Sequence, residues 1–160
     1  MMLQPPIEIN ESLRGFKEDH PDPAKVGFLM MRFGVTEAHD SIVAAIKEVL
    51  SQHGLDALRA DEKNYHDNLL PNIKTYMWGC GFGIAVFERI ESEEFNPNVS
   101  FEVGYMMALQ KPVCLLKDKT LRTLQSDLIA RLYYSFDTQD PSSSLSKGLE
   151  AWLSDKKLIA

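Results

Sequence analysis

Val26-Gly27-Phe28-Leu29-Met30-Met31 is the stretch that decides the fold. It is an unbroken apolar run, whereas a strand with one wet face would alternate polar and apolar residues. It therefore reads as a strand buried on both sides. The same character returns in Phe82-Gly83-Ile84-Ala85-Val86-Phe87 and in Pro112-Val113-Cys114-Leu115-Leu116. Leu55–Ala60 and Tyr133–Phe136 are shorter strand candidates. Helical segments lie between them. Glu37 to His53 carries Ile42, Ile46, Val49 and Leu50 on one side, with Gly54 as its stop. Asn68 caps the next, which carries Leu69, Ile73, Tyr76 and Met77, with Pro71 tolerated in its first turn. A third opens at Asn96-Pro97, a fourth covers Leu121–Leu132, and a last runs from about Ser144 to Leu153, set off by Asp140, Pro141 and three serines. Strands and helices in this alternation predict an α/β fold with a parallel sheet covered on both faces. Five strands in this length suit a flavodoxin-like, doubly wound sheet of order 2-1-3-4-5.

The chain has 160 residues and a formal charge of −6, with 44% hydrophobic and 25% charged residues. That is enough chain for one domain with a proper core. The acidic balance, with no basic stripe, argues against a nucleic-acid binder. No apolar run approaches the roughly 20 residues a membrane helix needs. Residues 1–24, with Pro5, Pro6, Pro21 and Pro23, read as a poorly packed lead-in with at most a short helix near Glu11–Phe16. They lack the basic start and apolar core of a signal peptide, and the domain proper spans 25–160. Cys80 and Cys114 sit in or beside apolar segments and read as reduced thiols of a cytoplasmic protein.

In a sheet of this order the ligand crevice lies beyond the carboxyl ends of strands one and three, where the winding reverses. Arg32-Phe33-Gly34 and Glu88–Asn98 border it. The second loop leads into Asn96-Pro97-Asn98-Val99-Ser100-Phe101-Glu102-Val103-Gly104-Tyr105-Met106-Met107-Ala108. Asn96 can cap this helix, and Pro97 suits its first position. Val99, Val103, Met106 and Met107 recur at helical spacing and define a buried face. Glu102 and Tyr105 lie on another, and Gly104 permits close approach of backbone or ligand. An acid among core-forming residues costs stability unless it has a partner or a function. It either complements the positive end of the helix dipole or acts on a ligand, and its coincidence with the crevice favours the ligand. Arg32 is a candidate phosphate contact and Phe33 a candidate base-stacking ring. Ser100 and Tyr105, within a helical turn of Glu102, are candidates to bind a sugar or orient the carboxylate.

Gly79-Cys80-Gly81-Phe82-Gly83 imitates a phosphate loop, but it ends a helix and enters a strand, so it reads as a C-cap and close packing. The residues after strand one lack the clustered acids of a phosphate receiver. His20, His39, His53 and His66 are dispersed, without metal-ligand spacing, and read as lone surface residues.

Taken together, Met31-Arg32-Phe33-Gly34, Leu58-Arg59-Ala60-Asp61, the Asn96–Tyr105 segment, and Ser126-Asp127-Leu128 with Arg131-Leu132-Tyr133 and Phe136-Asp137 resemble the TIR-like branch of the nucleoside 2-deoxyribosyltransferase and TIR superfamily. Arg32 stands where that pattern usually has proline. The resemblance implies cleavage of an N-glycosidic bond by Glu102, with NAD⁺ as substrate, no cofactor and no metal. Nicotinamide leaves as a neutral molecule from a cationic substrate, so a single carboxylate at the anomeric carbon suffices, either trapping or stabilising the developing positive charge. Glycosidases acting on neutral sugars need two. Glu102 is then expected to be ionised at working pH, with a pKa near or below neutral. The resemblance also places Asp61 and Tyr65, on the loop after strand two, at the border of the site. It further implies a homo-oligomer or assembly with a separate sensor protein, in the manner of antiphage-defence effectors. The alternatives are a deoxyribosyltransferase-like enzyme using the same glutamate, and a non-catalytic module that binds a nucleotide or self-associates.

Overall fold

The computed structural model describes residues 2–92, 96–121 and 132–160. The helix expected over Leu121–Leu132, and with it Ser126, Asp127, Leu128 and Arg131, falls almost wholly outside them. The strands are β1 (Val26–Met30), β2 (Asp56–Leu58), β3 (Phe82–Phe87), β4 (Val113–Asp118) and β5 (Tyr134–Phe136). They form one parallel sheet of order β2-β1-β3-β4-β5. This is the flavodoxin-like arrangement. β1 pairs with β3 from Gly27 opposite Phe82 to Met30 opposite Ala85, so the two central strands end side by side.

Helices cover both faces. On one side α1 (Asn10–Asp19), α3 (Leu69–Gly79) and α4 (Pro97–Ala108) pack over Phe28, Met30, Ala85, Phe87 and Leu115. On the other, α2 (Glu37–Ser51) and α5 (Pro141–Asp155) pack over Leu29, Met31, Ile84, Val86 and Leu116. Successive strand residues thus feed opposite cores, which is why β1 and β3 are apolar at every position.

Four details differ from the sequence expectation. The lead-in is packed: Ile9, Leu13 and Phe16 are buried, and the Phe16 ring meets Tyr65 and Tyr76 edge-on at 5.2 and 5.4 Å. Asn68 precedes α3 but gives it no side-chain cap. The buried Asn72 orders that loop instead, accepting from the Tyr65 and His66 amides and donating to the Ala60 carbonyl. Asp140 still precedes the last helix, but Pro141 and the serines belong to it, because α5 starts at Pro141, where a missing N–H costs nothing. His39 is fully buried, not a surface residue.

Close packing explains the glycine-rich stretch. A Cβ at Gly79 would lie 2.3 Å from the Phe16 ring, one at Gly81 2.4 Å from the Pro23 carbonyl oxygen, and one at Gly83 2.6 Å from the Met30 methyl. Gly54 closes α2 in the left-handed region (φ 71°). At Gly104 no neighbouring backbone makes the close approach that a glycine permits: among the described residues an added Cβ would meet nothing within 4 Å.

Candidate active site

α4 starts as its sequence dictates. The Asn96 side chain accepts from the Asn98 amide at 3.0 Å, and Pro97 occupies the first turn. Val99, Val103 and Met106 bury one face against the sheet. Glu102 is buried as well, only 9% exposed, in the second turn of the helix. It lies past the first turn, where the helix dipole is felt most. Among the described residues it has neither a hydrogen-bond nor an ion-pair partner. Burial alone pushes its carboxyl up to about 7. The sequence reading placed it near or below neutral. A value of about 7 stands at the upper edge of that range, with the acid and its carboxylate both populated at neutral pH.

Glu102 opens into a pocket of about 250 Å³. Met31 and Phe33 come from the end of β1, Leu69, Leu70 and Ile73 from α3, and Asn96, Asn98, Val99 and Phe101 from the start of α4. Its walls are mainly apolar, the polar groups being Glu102 and the two asparagines. Phe33, half exposed, is the other predicted site residue in this lining. The apolar wall from α3 was missed, although Leu69 and Leu70 are large residues left exposed at a helix start.

Beside the pocket, at the ends of β1 and β3, lies a polar cluster that sequence reasoning also missed. The Glu88 side chain, on the residue after β3, is almost fully buried. Its Oε1 lies 3.3 Å from His39 Nε2 and 3.5 Å from Arg32 Nε, and its Oε2 accepts from the Ile90 amide. His39 Nδ1 is 2.7 Å from the Thr36 hydroxyl, which also accepts from the His39 amide as the N-cap of α2. Arg32 therefore sits at the crevice as expected, but with a buried carboxylate behind it. The chain passes tightly over the imidazole, since a Cβ at Gly34 would lie 2.2 Å from its ring.

The remaining predicted residues are placed elsewhere. Tyr65 donates to Asp19 at 2.7 Å and lines a separate, acidic groove beside α1, because the Asn72 bonds and the Phe16 ring hold it there. Asp61 pairs with Arg59 at 3.0 Å, and Arg59 lies over the Phe33 ring at 5.8 Å. The β2 loop thus reaches the pocket through Arg59, not through Asp61. Ser100 precedes Glu102 by two positions, about 200° around the helix, so it turns away from the carboxylate. Among the described residues its buried hydroxyl has no hydrogen-bond partner. The Tyr105 hydroxyl accepts from Trp78 Nε1 at 3.1 Å and ties α4 to α3 below the pocket. Among the described residues no cluster of three His, Cys, Asp or Glu could hold a metal ion, and no helix is long and apolar enough to cross a membrane.

No family model matches the chain, and no curated protein matches its sequence. Solved structures are similar to it. A 2-deoxyribosyltransferase from Bacillus psychrosaccharolyticus is similar with a TM-score of 0.50 and 17% identity, over 73% of this chain and 90% of that one. A 2-deoxyribosyltransferase from Leishmania mexicana is similar with a TM-score of 0.49 and 17% identity, over 60% of this chain and 66% of that one. At this identity the likeness is one of fold.

Proposed function

We propose that this chain cleaves the N-glycosidic bond of a nucleoside or nucleotide, with Glu102 as the group that meets the anomeric carbon. The observation that carries the reading is an unpartnered, buried carboxylate at the wall of a pocket beside the switch point of the sheet. A buried acid with no partner destabilises the fold, and no structural role for it is evident. In an apolar pocket the ionised form is poorly solvated and so binds strongly to positive charge developing on a sugar ring.

In the first step a Glu102 carboxylate oxygen bonds to C1′ as the C1′–N bond breaks. The bonding pair leaves with the base, which takes a proton from solvent where its chemistry requires one. In the second step a ring nitrogen of another base, or water, attacks C1′ and frees the carboxylate. Transfer of a 2-deoxyribosyl group between bases is the reading favoured by pocket size, which suits one nucleoside better than a dinucleotide. The fold shared with the Bacillus psychrosaccharolyticus enzyme adds to it. Asn96 and Asn98 supply amides for a base edge, and Phe33 a ring face.

One observation favours NAD⁺ instead. Among the described residues Glu102 is the single carboxylate in the lining, and nicotinamide, which leaves as a neutral molecule, needs no second acid to protonate it. Assembly with further copies or a sensor protein, and a part in antiphage defence, belong to this second reading.

The test is chromatographic detection of released base from a panel of 2′-deoxynucleosides, with and without a second free base, and from NAD⁺. Glu102→Gln is run in parallel. Glutamate-dependent base exchange supports the transferase reading, and glutamate-dependent nicotinamide release the other. Activity that survives Glu102→Gln refutes both.

A further inference from the structure

The cluster at the ends of β1 and β3 has a feature that a purely structural ion pair does not need. Glu88 is satisfied from inside, by His39, the Ile90 amide and Arg32 Nε. The Arg32 side chain is 28% exposed. Among the described residues its guanidinium makes no hydrogen bond, Nε being buried and unbonded, and Glu88 is its single charged partner. A planar fork held by one edge, with the rest unused at a ligand crevice, matches what recognition of a tetrahedral oxyanion requires.

Three further observations bear on it. Arg32 lies between Met31 and Phe33, both of which line the Glu102 pocket, so the two sites share one loop. That loop leads into the N-terminus of α2, the positive end of its dipole, where Glu37 and Asp40 stand in the first turn and Thr36 takes the His39 amide. Finally, His39 lacks solvent contact and cannot touch a ligand, so its bonds to Thr36 and Glu88 serve to fix Glu88.

We propose that Arg32, aimed by the buried Glu88–His39 pair, binds the phosphate of a 5′-phosphorylated nucleoside, so that the substrate is a nucleotide. Arg32 is the binding residue, and Glu88 and His39 are positioning residues. This rests on the reading of Glu102 as the group at the anomeric carbon, which sets the sugar in the pocket while the phosphate lies outside it.

Calorimetric titration of Glu102→Gln, which prevents turnover, separates the two. The ligands are 2′-deoxyadenosine and its 5′-monophosphate. The expected result is at least a tenfold tighter Kd for the monophosphate. Adding Arg32→Gln removes the preference, so that monophosphate and nucleoside bind alike, and adding Arg32→Lys keeps part of it. Adding Glu88→Gln lowers it several-fold, in protein whose circular dichroism is unaltered. Equal binding of the two ligands, or a preference that survives Arg32→Gln, overturns the inference. Thermal unfolding of the wild type with inorganic phosphate provides an arm independent of the nucleoside. A rise in Tm lost in Arg32→Gln, with no nucleoside binding, sustains the anion site and counts against the glycosidic reading. No effect of phosphate or nucleotide overturns the anion site itself.

Discussion

His39 Nε2 lies 3.3 Å from Glu88 Oε1, the imidazole fully buried and the carboxylate almost so. The pair joins the start of α2 to the end of β3 and so fixes the two loops that border the crevice. Its geometry depends on Gly34, which crosses the imidazole where a methyl group would lie 2.2 Å from the ring. Gly34→Ala is therefore expected to displace the loop or the ring and to destabilise the protein by about 1–3 kcal/mol. Urea denaturation measures this, and a change below 0.5 kcal/mol, roughly the scatter of surface substitutions, contradicts the packing described.

Glu102 gives stability a characteristic pH dependence. Its carboxyl titrates near 7 when folded, against an ordinary 4.5. Below about pH 4.5 both states are protonated and nothing is lost. As pH rises from there to 7, the unfolded chain gives up its proton first, and stability falls. Above 7 the full cost, about 3 kcal/mol, is present. Glu102→Gln carries no such cost. Its Tm is expected to match the wild type near pH 4 and to exceed it at pH 8. A difference that does not grow with pH refutes the burial of an unpaired acid.

The same titration sets the activity profile. A nucleophilic Glu102 must be ionised, so kcat/KM is expected to rise with pH through an apparent pKa of about 7. A profile flat from pH 5 to 8 contradicts an ionised Glu102 as the acting species.

Gly104 faces open space in the interior of α4. Gly104→Ala then adds no contact and removes backbone freedom from the unfolded chain. It is expected to stabilise by about 0.5–1 kcal/mol. Thermal denaturation checks this, and destabilisation reveals a neighbour that the present geometry lacks.

The parts of the fold legible in the sequence are those whose environment is uniform. β1 and β3 read as strands because their side chains enter two cores in alternation, β4 because Val113 to Leu116 do, and α4 because Asn96 and Pro97 act locally. α1 is legible only as a short helix near Glu11–Phe16; flanking prolines and charges hide its packing, although Ile9, Leu13 and Phe16 stand at the spacing of a buried helical face. The Glu102 pocket was half legible: the helix and the switch point are in the pattern, whereas the α3 wall depends on how two helices meet. Glu88 and His39 are 49 positions apart, and a lone histidine has no pattern. Its single local signal was Thr36, three residues earlier, as an N-cap. Tyr65 and Asp61 were misplaced because side chains in the same loop, or packed against it, take up their polar groups first.

A bond between Glu102 and the anomeric carbon can be trapped by rapid quenching of the enzyme during turnover of a 2′-deoxynucleoside or its 5′-monophosphate, followed by peptide mass mapping. The expected product is a deoxyribosyl adduct on the peptide containing Glu102, absent in Glu102→Gln, which also stops base release. Base release that continues in Glu102→Gln, or an adduct on another residue, contradicts that bond.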